Sequence, residues 1–123
     1  MLSKICLRFS FRAAANSVRC ENFESGDSPS SLEIVAESQA GTPGLTGTLE
    51  AFNWISGDYE IVDTTAASFN TDAVVSVDLS SDISNYVQSG TGAIRSRIGW
   101  RQTGFTINFP WEVRLDQFVW TVD

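Results

Sequence analysis

After residue 30 the chain alternates apolar and polar positions with a period of two, broken by short clusters of glycine, proline, serine and aspartate. Residues 31–38 place Leu32, Ile34 and Ala36 on one side and Glu33, Val35 and Glu37 on the other, which predicts a half-exposed strand. Residues 48–64 predict a β-hairpin bending near Ser56 and Gly57. Residues 73–80, rich in valine, predict another strand, and residues 82–88 a single helical turn capped by Ser81 or Asp82 and stopped near Gly90. In residues 92–102, Ile94, Ser96, Ile98 and Trp100 share one face while Arg95, Arg97 and Arg101 share the other. Residues 104–113 alternate again, with Phe105, Ile107, Phe109, Trp111 and Val113 on one side. Residues 114–122 are apolar on both faces, as in a strand with neighbours on either side. No stretch keeps a 3.6-residue period over three turns. The expected fold class is all-β: an antiparallel β-sandwich or jelly roll of about seven strands.

Length and composition narrow this picture. At 123 residues the chain fits one domain with one core. No stretch approaches the roughly 20 consecutive apolar residues that a membrane-spanning helix needs. There is no histidine, so the commonest general base and metal ligand is missing. Charge is unevenly spread. Lys4, Arg8, Arg12 and Arg19 lie in the first nineteen residues, which hold no acid; the rest carries four arginines against 15 acids, 4 − 15 = −11. An acidic body repels phosphate backbones, so nucleic acid is not an expected partner.

Residues 1–20 are expected to form a basic leader outside the fold, disordered or processed, followed by a linker over 21–30 and the sandwich over 31–122. Arg8 and Arg12 interrupt what would be the apolar core of a secretory signal; the composition also fits a transit peptide or an upstream extension, and these readings stay open. Cys6 and Cys20 fall in this leader, so a bridge between them would not staple the domain.

The aromatic row could line the core or form a platform for sugar rings. On the platform reading, Trp111 and Phe109 stack on a sugar while Asn108 and Arg101 bind hydroxyls or acid groups, and Pro110 places the strand at an edge. The arginine row could meet an anionic glycan, or could be a wet face paired with Glu112 or Asp116. As catalytic carboxylates, Glu112 and Asp116 stand four residues apart, about 13 Å along a strand, beyond the roughly 9.5 Å of inverting glycosidases. A non-enzymatic protein is therefore expected. No cofactor is expected either. Calcium is the one ion considered, at Asp58, Glu60 and Asp63 or at Asp78 and Asp82, and neither group has the spacing of a helix-loop-helix site.

The stretches LEAFNWISGDYEIVD and GAIRSRIGWRQTGFTINFPWEVRLDQFVWTV resemble the C-terminal β-sandwich modules of secreted or surface bacterial proteins. Those modules often precede a dockerin-like or sorting-signal anchor. The ending LDQFVWTV is also distantly similar to the last strand of jelly-roll carbohydrate-binding modules. The resemblance covers residues 31–122. It implies an extracellular or cell-surface setting, with a polysaccharide or a surface protein as partner. The function expected is a non-catalytic module, adhesive or carbohydrate-contacting. The alternative is a purely structural spacer or assembly domain, and the third reading an enzyme acting on glycans through carboxylates.

Overall fold

The computed structural model describes residues 2–5, 9–12, 15–24, 30–105 and 112–122, with side chains described for 30–105 and 113–121. The expected strands form as β4 (Leu32–Ala40) and β5 (Leu45–Asn53), running on past residue 38 and starting before residue 48. They join β6 (Asp58–Ala66), β7 (Ala73–Asp78), β8 (Ala93–Gln102) and β9 (Glu112–Val122). These are six strands in the expected body, close to the seven anticipated. Three more strands precede them: β1 (Leu2–Ile5), β2 (Phe9–Arg12) and β3 (Ala15–Glu24).

The strands form two antiparallel sheets. One runs β1-β9-β4-β7, with β2 also paired to β9; the other runs β3-β8-β5-β6. β9 is thus central, as its two apolar faces predict. β1 and β2 pair with β9, and β3 pairs with β8, as backbone partners. Such pairing engages main-chain groups that every sequence carries.

Inward residues of both sheets make one core. Leu32 and Ile34 of β4, Leu49 of β5, Ile94 and Ile98 of β8, and Phe118 and Trp120 of β9 are all buried. Each large side chain of this kind contributes about 1.5–3 kcal/mol by leaving water. Trp100 is only 4% exposed, on the inner face expected for it. Gly47 makes room for it: a Cβ there would lie 2.9 Å from the Trp100 Nε1.

β9 keeps its inward face only through a bulge. Glu37 pairs with Gln117 and Ser38 with Leu115, so Asp116 is the extra residue. Val113 and Leu115 point inward before the bulge, Phe118 and Trp120 after it.

The β5–β6 hairpin closes through the turn 54–57 near the expected bend. The Asn53 Oδ1 accepts from the Ile55 and Ser56 amides at 2.8 and 3.1 Å, an Asx turn, and Gly57 takes φ +79°. The helical turn is present as α1 (Ile83–Tyr86), but neither Ser81 nor Asp82 closes it as anticipated: Asp82 occupies the cap position without a side-chain hydrogen bond. Of the strand expected over 104–113, Gly104 and Phe105 lie outside any strand, with Phe105 83% exposed, whereas Glu112 and Val113 open β9. Residues 106–111 lie outside the described residues.

Candidate functional site

Strict alternation in β5 puts Leu49, Ala51 and Asn53 inside and therefore Glu50 and Phe52 outside, with Trp54 following at the start of the turn. The register sets Phe52 opposite Tyr59 of β6 and Glu50 opposite Arg97 of β8. Three strands thereby converge on one outer patch. Phe52 meets Trp54 edge-on at 4.8 Å between centroids and Tyr59 at 5.2 Å. The Arg95 guanidinium lies 4.8 Å from the Trp54 ring centre and 5.5 Å from that of Phe52. The Arg97 guanidinium lies 4.1 Å from the Tyr59 ring centre, and its Nε donates to the Glu50 Oε2 at 2.6 Å. Ile61, 66% exposed, continues the patch along β6. Cation–π contacts at half-exposed positions contribute about 0.5–1 kcal/mol each and hold both partners in fixed orientations.

Beneath the same hairpin, on the inner side of β6, the Glu60 carboxylate accepts from the Asn53 Nδ2 at 2.6 Å and from the Tyr86 hydroxyl at 3.1 Å. Burial, and then the Glu60 carboxylate beside it, push the Tyr86 phenol above its ordinary range. This knot ties α1 to the β5–β6 end and fixes the strand ends that carry Phe52, Trp54 and Tyr59.

The residues singled out in the sequence fare differently. Arg101 stands exposed on the outer row of β8, in line with Arg95 and Arg97. Asn108, Phe109 and Trp111 lie outside the described residues. Of the arginine row, Arg97 pairs with Glu50; Asp116 belongs to the other sheet and meets Arg114 at 3.3 Å. The side chain of Glu112 lies outside the described residues, so the carboxylate pair has no described geometry.

Of the acids considered for calcium, Glu60 is engaged by Asn53 and Tyr86, Asp63 accepts from Thr65, and Asp78 accepts from the Ser80 amide and hydroxyl. Those Ser80 bonds hold the Asp78 carboxyl below its ordinary range. The acids that do come together are Glu37, Asp72 and Asp116, within 4.8 Å of one another, with Arg114 bridging the two aspartates. Between the sheets, Gly47, Leu49, Ala67, Val75 and Trp100 line an apolar slot of about 40 Å³. It has room for a water or two, not for a sugar ring.

The patch around Phe52, Trp54 and Tyr59 was not anticipated from the sequence. Its signal was present in residues 50–54, where small Ala51 alternates with Phe52 and Trp54. Knowing which face was outward required the pairing of the hairpin with β8.

No family model matches the sequence, and no curated protein matches it. Solved structures do resemble the fold. A xylan-binding module of family CBM15 superposes with a TM-score of 0.59 at 10% identity, over 92% of this chain and 76% of that one. The fold is a jelly-roll β-sandwich. A CBM36-1 domain of a multidomain xylanase from the hindgut metagenome of Trinervitermes trinervoides gives a TM-score of 0.50 at 12% identity, over 91% and 75% of the two chains. A chain of infectious bursal disease virus, strain Gt, gives 0.61 at 12% identity; it covers 98% of this chain, which spans 31% of the viral one. At such identities the likeness concerns the fold.

Proposed function

We propose that this protein is a non-catalytic carbohydrate-contacting module, working in an extracellular or cell-surface setting within a polysaccharide-binding or adhesive system. The observation that carries the reading is the outer patch of Phe52, Trp54, Tyr59, Arg95 and Arg97, a rigid array of rings and polar groups on an otherwise ordinary sheet face. A sugar polymer needs both kinds of contact: apolar surface for its C–H faces and fixed hydrogen-bond donors for its hydroxyls. Arg101 extends the patch along β8, and Asn108, Phe109 and Trp111 are proposed to complete the contact set. The folds of the xylan-binding module and the CBM36-1 domain support this reading by analogy.

The test is a glycan-array screen of the full chain beside Trp54→Ala and Trp111→Ala, each shown to be folded by its melting transition. We expect retention of at least one polysaccharide and a loss of about tenfold or more in affinity for Trp54→Ala, since a stacked ring contributes on the order of 1–3 kcal/mol. A folded chain that binds no glycan would point to the structural spacer. Binding lost only in Trp111→Ala would move the site to the other aromatic row.

A further inference from the structure

The outer face of β8, β5 and β6 has the opposite charge to the protein. Its described side chains set Arg95, Arg97 and Arg101 against the single acid Glu50, 3 − 1 = +2, in a chain of net charge −7. The aromatic rings here are also not bare. Each of Phe52, Trp54 and Tyr59 has a guanidinium 4.1–5.5 Å from its centre, so a ligand approaching those ring faces meets arginine.

The two stacked arginines differ. Glu50 holds Arg97 at 2.6 Å and neutralises it. Arg95 has no carboxylate partner among the described residues, and its Nε is buried with no hydrogen-bond partner. Arg101 lies six residues further along the strand, about 20 Å at a rise of roughly 3.3 Å per residue. A row of that length suits a polymer better than a single sugar.

We infer that this face selects acidic polysaccharides, with Arg95 and Arg101 reading carboxylate or sulfate groups and the Arg97–Glu50 pair positioning Tyr59. The inference rests on the carbohydrate reading above and narrows its ligand class. A guanidinium presents a planar fork of donors that matches two oxygens of either anion. An acidic polysaccharide with about one acid group per sugar carries less charge per length than a nucleic acid, so the acidic remainder of the protein repels it less.

The experiment measures binding of the full chain to two matched pairs: polygalacturonate and its fully methyl-esterified form, and a sulfated galactan and its desulfated form. We expect the charged member of at least one pair to bind about tenfold tighter than its neutral counterpart, and which pair responds separates carboxylate from sulfate. Arg95→Gln and Arg101→Gln, the latter at an exposed position, should each weaken that binding about three- to tenfold and flatten its salt dependence, with melting unchanged for Arg101→Gln. Equal binding of neutral and charged forms would overturn the selectivity and leave the carbohydrate reading standing. Charged-form binding that neither substitution weakens would also overturn it. A folded chain that retains none of the four polymers would overturn both, and tighter binding of single-stranded oligothymidylate would replace the polysaccharide with nucleic acid.

Discussion

The two outer faces of the sandwich obey one alternation rule and end as different surfaces. On the β4–β9 face, the outward positions around the bulge are long and polar. Arg114 sits 52% exposed between Asp72 at 3.4 Å and Asp116 at 3.3 Å and also donates to Gln39, and Glu37 stands beside both aspartates. Ion pairs so exposed contribute little, because water solvates each partner almost as well. On the β5–β8 face the outward positions hold rings, and the arginines lie across them. Arg97 is 32% exposed and its partner Glu50 only 19%. Partial desolvation strengthens the contact, and the stacking restricts the side chains. On this face the rings are Phe52, Trp54 and Tyr59, with Arg95 and Arg97 lying across them.

The comparison can be broken at several depths. Trp100→Ala removes the indole beneath the arginine-bearing strand and should destabilise the protein by about 3–5 kcal/mol; denaturant unfolding measures it, and a loss under about 0.5 kcal/mol would mean that β8 does not present this residue to the core. Glu50→Gln should then cost about 1 kcal/mol, whereas Asp116→Asn on the opposite face should stay within about 0.5 kcal/mol. Equal values in unfolding titrations would erase the distinction between the faces.

The smallest effect concerns pH. Asp78 is held below its ordinary range by Ser80, so its contribution is present above the unfolded carboxyl pKa and is lost as pH falls through the lower folded value. Wild type and Asp78→Asn should therefore converge in stability below about pH 4 and separate above it. A gap that persists unchanged into acid would remove the carboxylate from the account.

Much of this architecture could be read from the chain because period-two alternation is a direct statement about faces. Leu32, Ile34 and Ala36, and Ile94, Ile98 and Trp100, point inward where the pattern puts them. The hairpin announced itself through Ser56 and Gly57, whose turn chemistry is local; the structure adds the Asn53 side chain that closes it. The patch was harder to foresee. Phe52, Trp54 and Tyr59 resemble core residues in composition, and they stand half-buried on the outer face because Ala51 and Asn53 take the inward positions of β5. Arg97 finds Glu50, 47 residues away, through strand order, which hydropathy does not encode. The pairing of β1, β2 and β3 with β8 and β9 uses main-chain groups, which side-chain pattern and composition do not encode.

The extra residue at Asp116 acts as a phase shifter in β9. Before it the odd-numbered residues Val113 and Leu115 face the core; after it the even-numbered Phe118 and Trp120 do. The strand is in effect two half-strands of opposite parity joined at a single hinge point. Losing that one residue would leave every side chain chemically unchanged and still turn one half inside out, placing either Trp120 or Leu115 in water. Point substitutions at this position are therefore far more readily absorbed than any change in the number of residues.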